Sequence, residues 1–181
     1  MADGRLDTRG VIVTCPSCGQ NNRLPFAALN KSIRCASCKT MLSAPGAPIE
    51  ATESAAFRAA WNDSALPIIV DFWAPWCGPC RMVAPEIERV AEGAKGQFLV
   101  LKVNTDALTD IAQEFRIRSI PTLAVIFKGR ELGRAAGARS AAEIRAFADQ
   151  TLADSERGAQ VEKASVPRLG RVAMRSVRVC F

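Results

Sequence analysis

Residues 68–80 read Ile-Ile-Val-Asp-Phe-Trp-Ala-Pro-Trp-Cys-Gly-Pro-Cys, and the organisation of the chain is read outward from them. Ile68, Ile69 and Val70 open an apolar run that one carboxylate, Asp71, interrupts. A β-branched run of this length reads as a buried strand. Pro75 ends it, because proline cannot extend a strand ladder. Residues 81–94 then carry apolar side chains at helical spacing. Cys77 and Cys80 therefore fall where a strand gives way to the N-terminus of a helix.

That seat has a chemical consequence. The unpaired N–H groups and the dipole at a helix start stabilise an anion. A thiolate is an anion, so the Cys77 thiol is expected to be more acidic than a free one, and the thiolate is the nucleophile of disulfide exchange. Cys80 lies one helical turn on and can reach the Cys77 sulfur, with Gly78 and Pro79 restricting the loop between them. Asp71, inside an apolar run, is expected to hold its proton above the usual carboxylate range, as suits a base near neutral pH.

The composition narrows the chemistry further. Among 181 residues there is no histidine, so no Ser-His or Cys-His pair can exist, and any zinc site must use thiolates or carboxylates. No apolar run reaches the ~20 residues of a membrane-spanning helix. The start of the chain lacks a charged-then-apolar export pattern. These features suggest a cytoplasmic protein without a membrane partner, in which seven cysteines serve metal and redox chemistry rather than structural disulfides. The net charge is +6. From Ser155 onward, six basic residues stand against Glu156 and Glu162, which puts +4 of the +6 in the tail and leaves about +2 for the rest. That balance argues against nucleic acid as the partner of the folded part.

Residues 11–42 form a first unit. Cys15 and Cys18 make one Cys-x-x-Cys, Cys35 and Cys38 another, with sixteen residues between the pairs. The spacing suits a four-cysteine zinc site, although two further redox dithiols or an iron–sulfur cluster would use the same residues. Short β-branched runs lead into each pair, and Gly19 suits the turn that closes the first knuckle. Four thiolates around tetrahedral Zn2+ leave no open position, so the site is expected to be structural. About 30 residues bury too little apolar surface to fold alone, and bound metal would supply the missing stability. The pattern resembles a zinc ribbon. Residues 43–48, Ser-Ala-Pro-Gly-Ala-Pro, read as a linker.

The stretch Asp-Phe-Trp-Ala-Pro-Trp-Cys-Gly-Pro-Cys, residues 71–80, closely resembles the active site of the thioredoxin family. With the ribbon in front, the chain resembles the zinc-containing branch of that family, the thioredoxin 2 type, over roughly residues 10–153. The resemblance implies an α/β thioredoxin fold, a central mixed sheet flanked by helices, over 49–154. It also agrees with the rest of the pattern. A strand is expected near Ile49, a helix over 54–62, a long helix over 77–93 kinked at Pro85, a strand over 98–103 and a short helix over 106–115. Strands over 122–127 and 131–136 follow, and a final helix opens on the capping box Ser140–Glu143 and ends near Ala153. Residues 155–181 carry no period and are expected to be largely disordered.

By the same resemblance the chain is a protein-disulfide reductase, and an NADPH-dependent flavoprotein, thioredoxin reductase, re-reduces it. Asp71 serves as the base for Cys80 through a water, and Lys102 tunes Asp71 electrostatically. The Ile120–Pro121 bond is cis and faces the cysteines. Disulfide-containing protein substrates lie over an apolar groove formed by Trp76, Gly78, Pro79, Ile120, Pro121 and Gly137. An oxidase or isomerase is the competing enzyme class. Gly-Pro between the cysteines and the absence of histidine count against it. A third reading makes the ribbon a recruiting module and the redox site secondary.

Overall fold

The computed structural model describes residues 4–164. The first unit holds β1 (Arg5–Asp7), β2 (Gly10–Thr14) and β3 (Asn21–Pro25), a 3-10 turn over Phe26–Ala28, and the short pair β4 (Ile33–Arg34) and β5 (Met41–Leu42). The first three strands form one antiparallel sheet, and β4 and β5 form another. Then come β6 (Ile49–Ala51), α1 (Ser54–Asp63), β7 (Ile68–Trp73), α2 (Gly78–Gly93), β8 (Leu99–Asn104) and α3 (Thr109–Glu114). The chain continues through β9 (Thr122–Phe127), β10 (Arg130–Ala136) and α4 (Ala141–Ala164).

Strands β6 to β10 make a mixed five-stranded sheet in the order β10–β9–β7–β8–β6. Its centre, β7, pairs parallel with β8 and antiparallel with β9. Burial on both faces explains why residues 68–72 are almost unbroken apolar sequence. One face of the sheet packs Val70, Phe72 and Leu101 against α1 and α3 through Phe57, Ile111 and Phe115. The other packs Ile69, Val100 and Leu123 against α2 and α4 through Val83, Ile87, Ile144 and Ala148. Asp71 and Lys102 lie on this second face.

Helix α2 begins at the cysteines and continues across Pro85, whose missing N–H leaves the Arg81 carbonyl without its helical partner. The capping box opens α4 as expected: the Ser140 N–H donates to Glu143 Oε2 at 2.8 Å, and the Glu143 N–H donates to Ser140 Oγ at 3.4 Å. α4 does not stop near Ala153 but runs to Ala164. Residues 154–164, Asp-Ser-Glu-Arg-Gly-Ala-Gln-Val-Glu-Lys-Ala, carry no apolar stripe. They do hold helix-forming residues, and Arg157 pairs with Asp154 one turn back. The expected disorder of the tail otherwise concerns residues 165–181, including Cys180, which lie outside the described residues.

Two boundaries also differ from the sequence reading. β1 starts at Arg5 and pairs with β2, so the first unit takes in residues ahead of the 11–42 read from the sequence. Residues 43–48 are not a free spacer, since Ala44 and Pro45 are buried. Leu6, Val11, Val13, Leu24 and Phe26 belong to the same core as Ile49, Phe57 and Ala60, and the Ala65 N–H donates to the Phe26 carbonyl at 3.0 Å. A module too small to bury its own apolar residues has buried them against the larger sheet, at roughly 1.5–3 kcal/mol for each large side chain.

Candidate functional site

The loop 74–77 carries the chain from β7 to α2, and Cys77 is the N-cap of that helix. Cys77 and Cys80 are joined as a disulfide. The Cys80 N–H donates to Cys77 Sγ at 3.2 Å, so one of the helix's free N–H groups is spent on the sulfur expected to carry negative charge. Both cysteines are almost wholly buried, whereas Gly78 and Pro79 are exposed between them.

Trp76 is among the most exposed large apolar residues described, at 67%. Its indole N–H donates to Asp106 Oδ2 at 2.9 Å, which holds the ring beside the cysteines. The Ile120–Pro121 bond is cis. Pro121 is buried and Ile120 half-buried. The Gly137 N–H donates to the Pro121 carbonyl at 2.9 Å. Gly137 has φ +93° with open space where a Cβ would stand. Glycine is suited here by its backbone conformation rather than by crowding.

Asp71 is 1% exposed, and its Oδ1 finds no hydrogen-bond partner among the described residues. Burial pushes its carboxyl up to about 6. Lys102 acts in the opposite direction, and Glu50 adds to the rise. Lys102 is level with Asp71 in the β7–β8 register and with Glu50 in the β6–β8 register. Its Nζ lies 3.7 Å from Glu50 Oε2 and 4.4 Å from the centre of the Trp73 ring. The Trp73 indole N–H donates to Glu50 Oε1 at 3.0 Å. Glu50 and Asp106 are members of this site that the sequence reading did not single out. Alternation along Ile49–Glu50–Ala51 puts Glu50 on the face opposite the core, but its neighbours follow from which strand pairs with β6.

The second constellation sits in the first unit. The Sγ atoms of Cys15, Cys18, Cys35 and Cys38 all lie within 4.8 Å of one another. Cys15 to Cys38 is 3.5 Å and Cys18 to Cys35 is 3.7 Å. Four sulfurs ~2.3 Å from a tetrahedral ion would stand ~3.8 Å apart, so the donor set fits one metal ion. The two knuckles repeat one geometry. The Gly19 N–H donates to the Cys15 carbonyl at 2.9 Å, and the Lys39 N–H donates to the Cys35 carbonyl at 3.2 Å. Gly19 and Lys39 both have positive φ, +75° and +64°. Backbone N–H groups of Cys38 and Ser37 help hold the Cys35 thiol down to about 6. Asn22, also missed in the sequence, donates to Cys35 Sγ at 3.5 Å and accepts the Ala36 N–H at 2.9 Å. It thereby ties β3 to the second knuckle.

No helix among the described residues is long and apolar enough to cross a membrane. The family model described as Thioredoxin matches residues 48–150. The chain is 38% identical over 143 residues to Thioredoxin C-3 of Corynebacterium nephridii, covering 78% of this chain and 96% of that protein. It is 58% identical over 67 residues to Thioredoxin 1 of a Nostoc species, covering 37% of this chain and 62% of that one. Among solved structures, the N21Q mutant thioredoxin from Halobacterium salinarum superposes with a TM-score of 0.56 at 24% identity, over 61% of this chain and 95% of that one, a likeness of fold. The chain belongs to the thioredoxin family and is a thioredoxin-type protein-disulfide oxidoreductase.

Proposed function

We propose that the chain reduces protein disulfides at Cys77-Gly78-Pro79-Cys80 and belongs to the zinc-ribbon, thioredoxin 2 branch. The Cys77 thiolate attacks one sulfur of the substrate disulfide. A mixed disulfide forms, and the departing substrate thiolate takes a proton. Asp71 then accepts the Cys80 proton through a water, with Lys102 tuning that carboxylate. The Cys80 thiolate attacks Cys77 Sγ, closing the internal disulfide and releasing the second substrate thiol. Two electrons pass to the substrate in each cycle. An NADPH-dependent thioredoxin reductase restores the dithiol, and extended substrate segments pair along Ile120 between Trp76, Gly78, Pro79, Pro121 and Gly137. The observation that carries this reading is the Cys80 N–H on Cys77 Sγ at the start of α2.

Cys15, Cys18, Cys35 and Cys38 would hold one structural Zn2+, with no open position for substrate. Their four sulfurs lie in a small, partly exposed module, and oxidants that turn thiolates into disulfides would release the ion. Seven cysteines read as metal and redox thiols rather than structural disulfides favour a reducing compartment, the cytoplasm.

The test is insulin reduction with NADPH and thioredoxin reductase. The chain should turn over and Cys77→Ser should not. The potential of the Cys77–Cys80 pair should lie near ~−270 mV, and a value near ~−120 mV would make the protein an oxidant instead. Unchanged zinc content after peroxide has oxidised Cys77 and Cys80 would remove the oxidant response.

A further inference from the structure

Across the three adjacent strands β7, β8 and β6, Asp71, Lys102 and Glu50 stand at the same level. A single cation therefore lies between two carboxylates. Its visible partner is not Asp71, however. Lys102 Nζ is 3.7 Å from Glu50 Oε2, while Asp71 Oδ1 has no hydrogen-bond partner among the described residues. Glu50 is fixed from the other side by the Trp73 indole at 3.0 Å, and the Trp73 ring also lies against the ammonium at 4.4 Å. Indole and carboxylate together make a seat for the lysine on the β6 side of the row.

We propose that Glu50 is a positioning residue for Asp71: it draws the Lys102 ammonium toward β6 and so keeps that cation from forming a full ion pair with the buried carboxylate. The proposal rests on the reading of Asp71 as the base for Cys80. A carboxylate locked to an ammonium at close range would stay ionised well into acid and would be a poor proton acceptor near neutral pH. With the cation shared, burial keeps Asp71 able to hold a proton. The negative charge of Glu50 on the far side of the row acts in the same direction.

The other groups around Asp71 leave few competitors. From β8 the charged neighbour is Lys102, and from β6 it is Glu50. β9 places Leu123 opposite, and α2 packs Val83 and Ile87 against this face. α4 packs against this face with Ile144 and Ala148, while its Glu143 bonds Ser140 and its Arg145 bonds Asp149. Asp106 is engaged by Trp76.

The test is direct titration of the Asp71 carboxyl by carbon-13 NMR in the reduced full-length protein, in wild type, Glu50→Gln, Lys102→Met and the double variant. Gln is nearly isosteric with Glu and can still accept the Trp73 N–H, so the variant keeps the local packing while losing the charge. The Asp71 midpoint should fall by about half a pH unit or more in Glu50→Gln. In the Lys102→Met background the same change should move it less than half as far. An unmoved midpoint in Glu50→Gln overturns the proposal, as does an equal shift in both backgrounds. The acid limb of the rate of Cys80 attack on a preformed mixed disulfide should move to lower pH with the midpoint. Failure of the base reading shows separately, as full turnover in Asp71→Asn with the Glu50 titration effect intact.

Discussion

The N–H of Cys80 donates to the Sγ of Cys77 at 3.2 Å, so the resolving cysteine's own backbone stabilises the sulfur it must later attack. The two residues then have separable roles. Cys77→Ser should bring turnover down to the uncatalysed level. Cys80→Ser should still attack a substrate disulfide but hold it as a mixed disulfide. Mass spectrometry of Cys80→Ser after incubation with a disulfide peptide should find a one-to-one adduct on Cys77, and a variant that releases its peptide at the wild-type rate would contradict the assignment.

Asp71 makes stability and activity oppose each other. Its carboxyl titrates at about 6 in the folded chain against the ordinary 3.8. Between those values the folded chain therefore keeps a proton that the unfolded chain has lost. This contribution favours folding most below about pH 4, weakens as pH rises through 6, and is fully lost above. Replacing the group by Asn removes the penalty at high pH. Asp71→Asn should be more stable at pH 8 by on the order of 1–3 kcal/mol, with no comparable gain at pH 4. It should also slow release from the mixed disulfide by roughly 10²-fold at neutral pH. Denaturant unfolding at the two pH values checks the first effect, and stopped-flow thiol release checks the second.

Phe57 is fully buried and meets Trp61 and Phe115 edge-on, with ring centroids 6.3 and 5.7 Å away. It lies in the core that also holds Leu24 and Phe26 of the first unit. Phe57→Ala should cost about 3–5 kcal/mol. Because the core is shared, far-UV signal and protection of the ribbon thiols from a thiol reagent should be lost at one denaturant concentration. Two resolved midpoints would mean that the units unfold independently.

Metal removal should act through the same coupling. An ion bound only by the folded chain stabilises by RT ln(1 + [L]/Kd), about 2.7 kcal/mol at a hundredfold excess over Kd. Purified protein should carry one zinc per chain. A chelator strong enough to strip it should lower the melting temperature of the whole chain rather than add a separate low-temperature transition. Calorimetry with and without chelator decides between these outcomes.

The strand-to-helix seat of Cys77 and Cys80 was legible because it rests on local rules: a β-branched run, a strand-ending proline and a helical period. The capping box at Ser140 and Glu143 was legible for the same reason. The four ribbon cysteines could be grouped because their spacing alone selects a small set of chemistries. What could not be read depends on pairing between distant segments. Glu50 stands beside Lys102 only because β6 joins β8, and nothing in residues 49–51 specifies that partner. Asn22 reaches Cys35 only once two knuckles fold against each other. The end of α4 was misplaced because helix beyond Ala153 rests on propensity and on a turn-to-turn ion pair, neither of which leaves an apolar stripe. The packing of the linker was not legible because small residues and prolines occur both in spacers and in packed connections, and burial tells them apart.

Because Leu24 and Phe26 roof over α1, cutting the chain at residue 45 would not liberate a tidy miniature of the family. It would bare the greasy flank of Phe57 and Ala60 to solvent. A truncated protein of that kind should be prone to clumping at concentrations where the intact one stays dispersed, so the four-cysteine unit also serves the rest of the molecule as a rain cover.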